Sequence, residues 1–258
     1  MEALPEKKCK CMGIRYCNFC KDPDVRKHFK DLYPLEDTTS IQTYNVLPTD
    51  LFKCSSSNGE ILSLDEILDF SGFHVFSDFI TEEMENHVVT QLQQSGKWVE
   101  SQSGRKKIDF GPQANFKKQK IKEGHFKGLP ECMKPVIEKI HSQIGSGLVK
   151  DDMGTDISEK VKNFEEVEMN VLEYDSERGS NIAPHMDDLW LWGERIFGLN
   201  LLSETSMTFT KDNMEVVFPV KRRQLYLISG KSRLEWMHGI KQEHITGKRM
   251  VCKRVKQE

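Results

Sequence analysis

The chain has 258 residues, a formal net charge of -3 at pH 7 and a hydrophobic fraction of 37%. These values fit one sizeable domain with a small appendage, and the near-neutral charge argues against a chain that coats nucleic acid over its whole surface, although a local basic patch stays open. No apolar run approaches the roughly 20 residues of a membrane span, and the N-terminus lacks the apolar segment of a secretory signal, so we expect no membrane partner, a cytoplasmic and nuclear location, and reduced cysteines.

The first element along the chain is a cysteine cluster with the spacing Cys-x-Cys-x5-Cys-x2-Cys. Its members are Cys9, Cys11, Cys17 and Cys20. Four thiolates match a tetrahedral zinc site; an iron–sulfur cluster is a second interpretation, and four unliganded thiols in a tail are the third. The polar stretch 21–63 has the composition of a linker. The sequence therefore predicts a Cys-rich segment with a linker over 1–60 and the main domain over 61–258.

The main domain opens with a strand and two helices. The run GFHVFSDFI alternates apolar and polar residues, which predicts a strand. Thr81 is a suitable N-cap for a helix that carries an apolar stripe and ends near Gly96. A second amphipathic helix is predicted from Glu131 to Ile144.

A basic segment, residues 105–127, lies between the two predicted helices. It interleaves Lys and Arg with three Phe, a composition that suits nucleic acid or an acidic protein surface. A solvated loop anchored by its Phe side chains explains the same composition equally well. The candidate substrate-binding residues are Arg105, Lys106, Lys107, Lys117 and Lys118.

The C-terminal part, from Glu166 onward, consists of short β-rich runs separated by turn residues. The runs are EVEMNVLEY, IFGLNLLS, MTFT, MEVVFPV and QLYLISG. This pattern is typical of an antiparallel sandwich or barrel. The predicted fold class is therefore α+β, with helices flanking a β-sandwich.

His185 and Asp187 lie two residues apart within this β-rich half. In an extended segment, residues i and i+2 point to the same side, so both side chains can reach one ion. His238, which follows the last β-rich run, fits a third ligand. Two imidazoles and one carboxylate on one face of an octahedron are typical of non-haem iron oxygenases. The pair alone is a weak motif that a surface turn would also produce; its β-rich context favours the metal site.

Four longer strings carry a resemblance to a known family: CKCMGIRYCNFC, SQSGRKKIDFGPQANFKKQK, YDSERGSNIAPHMDDLWLWGERIFGLNLLS and WMHGI. Through them nearly the whole chain resembles the AlkB-type iron(II)- and 2-oxoglutarate-dependent dioxygenases, most closely the group of AlkB homologue four. The resemblance implies a double-stranded β-helix (jelly-roll) core and makes His185, Asp187 and His238 the catalytic iron ligands. It also implies that Arg249 binds a carboxylate of the cosubstrate 2-oxoglutarate and that Tyr174 hydrogen-bonds this cosubstrate.

The resemblance further implies oxidative removal of N-methyl groups, with release of formaldehyde and succinate. The implied substrate is monomethyl-lysine in actin, whose demethylation promotes actin–myosin interaction at the cleavage furrow and midbody during cytokinesis; N6-methyladenine in DNA is a second candidate. The implied partners are thus actin and non-muscle myosin, or DNA, and we expect a monomer. The alternative is a non-catalytic adaptor of the same fold that binds myosin or chromatin partners.

The C-terminal end departs from the family pattern. AlkB-type enzymes end their core with Arg-x-Asn-x-Thr-x-Arg, but in this chain Val255 stands six residues after Arg249, and Arg254 is one residue out of register. A one-residue slip turns a side chain to the opposite face of a strand, so we do not expect Arg254 to replace the second Arg without a bulge. We also expect a short last strand. The family's Asn two residues before the Tyr is Leu172 in this chain.

Overall fold

The computed structural model describes residues 41–64, 69–115, 118, 120–122, 128–189 and 191–255, which fold into two seven-stranded sheets that face each other. Strands are numbered in chain order. Across sheet I, the strands follow one another as β10 (Ile182–His185), β15 (Met237–Ile240), β12 (Thr205–Lys211), β13 (Met214–Val220), β1 (Gln42–Leu47), β2 (Asp50–Ser56) and β3 (Ile61–Ser63). Across sheet II, the order is β4 (Phe73–Phe76), β14 (Leu225–Ile228), β11 (Ile196–Leu201), β16 (Lys248–Val255), β9 (Glu168–Asp175), β6 (Lys106–Phe110) and β5 (Val99–Glu100).

Both sheets are antiparallel apart from the β1–β13 pair, and eight strands form the jelly-roll core: β10, β15, β12 and β13 in one sheet, β14, β11, β16 and β9 in the other. A small separate hairpin joins β7 (Gln113–Asn115) to β8 (Lys120–Lys122). The helices of the described ranges are α1 (Glu82–Gln94), α2 (Lys134–Gly145), α3 (Ser158–Val161) and α4 (Gly230–Leu234), with 3-10 turns at Glu131–Met133 and Gln242–His244. None of them is long and apolar enough to cross a membrane.

Sheet II has an apolar core on each of its two faces. Leu172 and Tyr174 of β9 pack between the sheets, whereas Met169 and Val171 of the same strand pack against the helices. This alternation follows from the two-residue period of a strand. It gives a simple rule for sheet II: the parity of a residue's position decides whether it faces the interior between the sheets or the helices.

The first long helix forms as its sequence predicts. The hydroxyl of Thr81 accepts a hydrogen bond from the backbone N–H of Met84 at 3.2 Å, and three Glu residues occupy the first turn, where they complement the helix dipole. The predicted second helix begins as a 3-10 turn and becomes α-helical only at Lys134. Its buried side chains, with those of α1, cover the outer face of sheet II.

The predicted linker is wrong for residues 41–60. Strand β1 pairs with β13, and β2 pairs with β1, so this stretch extends sheet I by two strands. Only Tyr44, Val46 and Cys54 are buried in this stretch, and apolar residues this sparse give too weak an alternation to be distinguished from a polar linker. Residues 1–40 lie outside the described residues, so the Cys-rich segment remains a prediction.

The last strand is longer than expected and occupies a central position. Strand β16 has eight residues and pairs continuously with β9, from Lys248 opposite Asp175 to Val255 opposite Glu168, without a bulge. Position 254 therefore shares its parity with Met250 and Cys252 on the helix side, whereas Arg249 faces the interior. This backbone register agrees with the expectation that Arg254 is out of register for a second interior arginine.

Candidate metal and cosubstrate site

One group of side chains with the spacing of metal ligands comes together within the described ranges: His185, Asp187 and His238. Each offers one ligand atom, and these atoms all lie within 4.8 Å of one another. The Nε2 atom of His185 is 3.3 Å from Oδ1 of Asp187, and Nε2 of His238 is 3.5 Å from Oδ2 of the same carboxylate. Two imidazoles and a carboxylate that converge on one point are suited to a divalent transition metal.

Strand pairing at the edge of sheet I places the two imidazoles side by side. His185 ends the edge strand β10 and lies directly opposite His238 in β15, and the pairing shifts register between Ile182 and His185. A Cβ atom on Gly239 would lie only 2.7 Å from the carbonyl oxygen of Ile182 and 2.9 Å from the nitrogen of Pro184. Only glycine therefore permits this close approach of the irregular strand, which brings the two histidines into register.

The hydrogen bond of His185 determines which of its nitrogens faces the site. Its Nδ1 lies 3.0 Å from the carbonyl oxygen of Ala183, which can only accept a hydrogen bond, so Nδ1 carries the proton. The Nε2 lone pair is then available to a metal, as in other histidine-ligated centres. Relative exposure is 13% for the His185 side chain, 10% for Asp187 and 4% for His238, so the group is recessed but reachable.

A buried arginine holds the loop that follows β10. Arg233 is 1% exposed and donates hydrogen bonds to three carbonyl oxygens of this loop, those of Asp187 (2.9 Å), Trp192 (2.6 Å) and Gly193 (3.2 Å). Burial lowers the pKa of Arg233, while the carboxylates of Asp187 and Asp188 act in the opposite direction. The planar guanidinium fork thereby fixes the backbone that carries Asp187.

Arg249 places a buried positive charge between the two sheets of the jelly roll. It is fully buried, its Nε donates to Oδ1 of Asn200, and its guanidinium carbon lies 5.0 Å from the ring centroid of Tyr174. Its Nη1 and Nη2 atoms have no hydrogen-bond partner among the described residues. An unpaired buried guanidinium is costly, and two parallel N–H donors match a carboxylate. These residues therefore fit the carboxylate of a 2-oxo diacid.

Sequence reasoning missed Asn200, which orients that arginine. Its Nδ2 donates to the carbonyl oxygens of Ser203 (2.9 Å) and Lys221 (2.8 Å), which leaves Oδ1 to accept from Arg249. Asn200 is wholly buried. A polar residue in the apolar run IFGLNLLS was the signal that could have identified it, because a buried amide requires partners.

In the part of the basic segment that the structure describes, the cationic side chains differ in burial and in their ion pairs, and they do not form one free basic surface. Arg105 is 5% exposed, donates from Nε to the carbonyl oxygen of Gln102, and has its guanidinium 5.9 Å from the ring centroid of Tyr174. Lys106 and Lys107 are ion-paired with the carboxylates of Glu100 and Asp109, at 3.9 Å and 2.6 Å. Lys118 is exposed. Lys117, like the four N-terminal cysteines, lies outside the described residues.

The fold and the site together define a class of protein. A jelly roll with a His-x-Asp pair, a distant His and a buried inward arginine has the architecture of the 2-oxoglutarate-dependent oxygenases. Relatives of known name identify the family within this class.

A Mus musculus protein named alpha-ketoglutarate-dependent dioxygenase alkB homolog 4 is 32% identical over an alignment of 276 positions. The alignment covers 95% of this chain and 84% of the relative. A Caenorhabditis elegans protein named DNA N6-methyl adenine demethylase is 28% identical over 95% of this chain and 85% of its own length. The solved structure of OsALKBH1 shares the fold, with a TM-score of 0.50 at 10% identity over 74% of this chain and 99% of that chain. No protein-family model matches the chain.

The chain belongs to the AlkB family of 2-oxoglutarate-dependent dioxygenases. The predicted double-stranded β-helix is confirmed. The relatives are named dioxygenases and demethylases, so the chain is a 2-oxoglutarate-dependent enzyme of the demethylase type, and the cofactors of its family are Fe(II) and 2-oxoglutarate.

Proposed function

We propose that this dioxygenase demethylates nitrogen in a macromolecular substrate, with Fe(II) bound by His185, Asp187 and His238 and with 2-oxoglutarate bound by Arg249 and Tyr174. The observation that supports this proposal is the position of the three converging ligands and a buried arginine with two unpartnered nitrogens inside one jelly roll. When bound, iron(II), 2-oxoglutarate and O2 supply the oxidation: the methyl carbon is hydroxylated, the product releases formaldehyde, and the cosubstrate leaves as succinate and CO2.

The residues of the chain hold and orient these reactants. The Ala183 carbonyl keeps the His185 ring in the tautomer whose Nε2 can bind a metal. Arg249 pairs its two outer nitrogens with one carboxylate of the cosubstrate, and Asn200 holds the guanidinium in place. The near-complete burial of His238 and Arg249 keeps water away from the inner part of the pocket, which strengthens each charged contact there.

Monomethyl-lysine in actin is the substrate that we propose, with non-muscle myosin as the downstream partner at the cleavage furrow and midbody. The resemblance to the group of AlkB homologue four supports this choice. The zinc site formed by the N-terminal cysteines is proposed on their spacing alone.

N6-methyladenine in DNA is the second candidate substrate, favoured by the name of the Caenorhabditis elegans relative. Incubation of the enzyme, iron and 2-oxoglutarate with monomethylated actin peptides or N6-methyladenine oligonucleotides, followed by mass spectrometry, distinguishes the two. We expect a loss of 14 Da (roughly one CH2) from the peptide. Loss from the oligonucleotide alone would replace actin by DNA. If the protein with iron converted no 2-oxoglutarate to succinate, either with or without these substrates, the non-catalytic adaptor would be favoured.

A further inference from the structure

An arginine in the connection between β9 and β10 binds a loop from another part of the fold. Arg178 donates from Nε to the carbonyl oxygen of Gly104 at 2.9 Å, and its two outer nitrogens pair with the carboxylates of Asp175 (2.9 Å) and Glu173 (2.7 Å). Gly104 belongs to the loop that leads into β6, 74 positions earlier in the chain. The guanidinium thus joins two connections that are distant in sequence.

Further contacts bring these two connections close together. The hydroxyl of Ser180 donates to the same Gly104 carbonyl at 2.7 Å, and the backbone N–H of Asn181 donates to the carbonyl oxygen of Ser103 at 3.2 Å. A Cβ atom on Gly104 would lie 2.4 Å from the carbonyl oxygen of Arg178, so only glycine fits there. Ser103 has a φ of 54°, and a residue with a side chain keeps such a conformation only where the surrounding structure holds it.

The connection that carries Arg178 leads directly into the strand of a metal ligand. Asn181 is followed by β10, which ends at His185. Strand β10 lies at the edge of sheet I, where it pairs with β15. Strand β6 belongs to sheet II, where it pairs with β9 and β5. Because the two strands lie in different sheets, ladder hydrogen bonds do not fix β6 relative to β10, and the contact between Arg178 and Gly104 provides a direct polar link.

Strand β6 carries cationic side chains on the face of sheet II that is turned to the interior. Lys107 lies opposite Leu172, which packs between the sheets, and directly paired residues of adjacent strands share a face. Arg105, two positions earlier, has its guanidinium 5.9 Å from the ring centroid of Tyr174. Arg105 and Lys107 are candidate substrate contacts, so the position of β6 sets where a substrate bound by them lies.

We propose that Arg178 is a positioning residue for the methylated substrate. By holding the start of β6 against the connection that leads into β10, it keeps the substrate contacts at a fixed distance from the metal ligands. This inference rests on the proposed function, because it requires a methylated substrate beside the metal. The pairing of His185 with His238 does not involve Arg178, so metal and cosubstrate should still bind when the arginine is replaced.

The ratio of formaldehyde to succinate tests the proposal. Each demethylation releases both products in equal amounts, whereas turnover of 2-oxoglutarate beside a misplaced methyl group releases succinate alone. A lysine at position 178 keeps the positive charge near the two carboxylates, but it lacks the planar fork that also reaches Gly104. Since a misplacement of about 1 Å can cost about a hundredfold in rate, Arg178→Lys should lower the ratio at least about tenfold. The probe is the monomethylated actin peptide, or the N6-methyladenine oligonucleotide if wild type demethylates that instead.

Two further variants separate this contact from a general effect of substitution. Gly104→Ala attacks the contact from its other side, because the added Cβ would press against the Arg178 carbonyl, and it should lower the ratio as well. Arg195→Lys is the matched control. Arg195 also donates to backbone carbonyls of a distant segment, those of Lys160 and Lys162, but this segment leads into neither β6 nor β10. Its ratio should equal that of wild type.

Calorimetric titrations of Mn(II) and of 2-oxoglutarate distinguish substrate positioning from damage to the metal site, and melting curves set an assay temperature at which every variant is folded. Both affinities of Arg178→Lys should equal those of wild type. An unchanged product ratio in Arg178→Lys, or a lowered ratio that a loss of Mn(II) or 2-oxoglutarate affinity accounts for, would overturn this inference alone. Wild type that forms succinate but no formaldehyde from either probe would overturn the proposed demethylation, and this inference with it.

Discussion

At the scale of the residue, the two histidines and Asp187 form the part of the site that depends on short-range geometry. The i, i+2 spacing of His185 and Asp187 directs both side chains to one side, and a direct cross-strand pair adds His238. The three ligand atoms all lie within 4.8 Å of one another, so each can bind the same ion. When one of these side chains is lost, the other two cannot supply the missing ligand.

Asp187→Ala should therefore lower succinate formation by more than about 100-fold, since even residues that only orient metal ligands are worth 10- to 100-fold. The measurement is 2-oxoglutarate turnover, together with a melting curve to show that the variant is folded. Asp188→Asn is the control, because the adjacent carboxylate is not part of the ligand group. A folded Asp187→Ala protein with full turnover would remove this mechanism.

Arg249→Ala should abolish 2-oxoglutarate binding, whereas Arg254→Ala should change it little, because the two positions lie on opposite faces of an unbulged strand. We also expect wild type to bind 2-oxoglutarate about ten- to a hundredfold more weakly than a family member with both arginines, since one charge-assisted contact is missing. Calorimetry on the Mn(II)-loaded protein measures both. Equal damage from the two substitutions would refute the register argument.

At the scale of the element, the loop 187–193 depends on a helix that is distant in sequence. Arg233 belongs to α4, yet its three hydrogen bonds go to carbonyls that lie 40 to 46 positions earlier in the chain. The loop conformation thus depends on α4 as well as on the hydrogen bonds from the backbone N–H groups of Leu191 and Trp192 to the carbonyl oxygen of Asp188. A substitution in this helix should therefore change the affinity of the site for metal.

Arg233→Lys tests this coupling. A lysine ammonium cannot reproduce the planar fork that reaches three carbonyls, so Asp187 should be less well held and metal affinity should fall about ten- to a hundredfold. Mn(II) titration provides the readout, and Lys231→Ala is the control on the same helix, because Lys231 pairs at the surface with Asp69. If Arg233→Lys bound Mn(II) with the affinity of wild type, the three hydrogen bonds of Arg233 would not be needed to position Asp187.

The basic segment, residues 105–127, allows a second test at this scale. Charge reversal at Lys117 and Lys118 should raise KM far more than it lowers uncoupled 2-oxoglutarate turnover, because substrate capture and cosubstrate chemistry are separate steps. On DNA, the salt dependence of binding should fall by about one unit of slope per lost contact. Unchanged kinetics toward peptide and oligonucleotide would make this a solvated loop.

At the scale of the whole molecule, the N-terminal cysteines predict a second metal that is independent of the dioxygenase centre. Elemental analysis of the purified protein should find about one zinc per chain, and Cys17→Ser or Cys20→Ser should remove it. The catalytic iron should be unaffected by either change. Zinc-free wild type would contradict the prediction, and a visible absorption spectrum of the cluster type would replace zinc by iron–sulfur.

What could be predicted from the sequence follows the range of the interactions. The helix capped by Thr81 and the β-rich runs rest on local patterns, and the structure forms them. Arg249 and Asn200 are 49 positions apart and meet only through the pairing of β11 with β16, so no local pattern joins them. The room for the ring of Tyr226 likewise comes from Gly198, which lies opposite it only through the pairing of β11 with β14.

The central place of β16 also has a consequence for biosynthesis. Strands β9 and β11 each hydrogen-bond to β16, but both leave the ribosome long before it does, since translation proceeds from the N-terminus. Until β16 is available, the backbone groups of β9 and β11 that pair with it have no partner in sheet II, and unpaired strand edges of this kind favour aggregation. Insertion of one strand then closes sheet II and delivers Arg249 to the pocket in a single step.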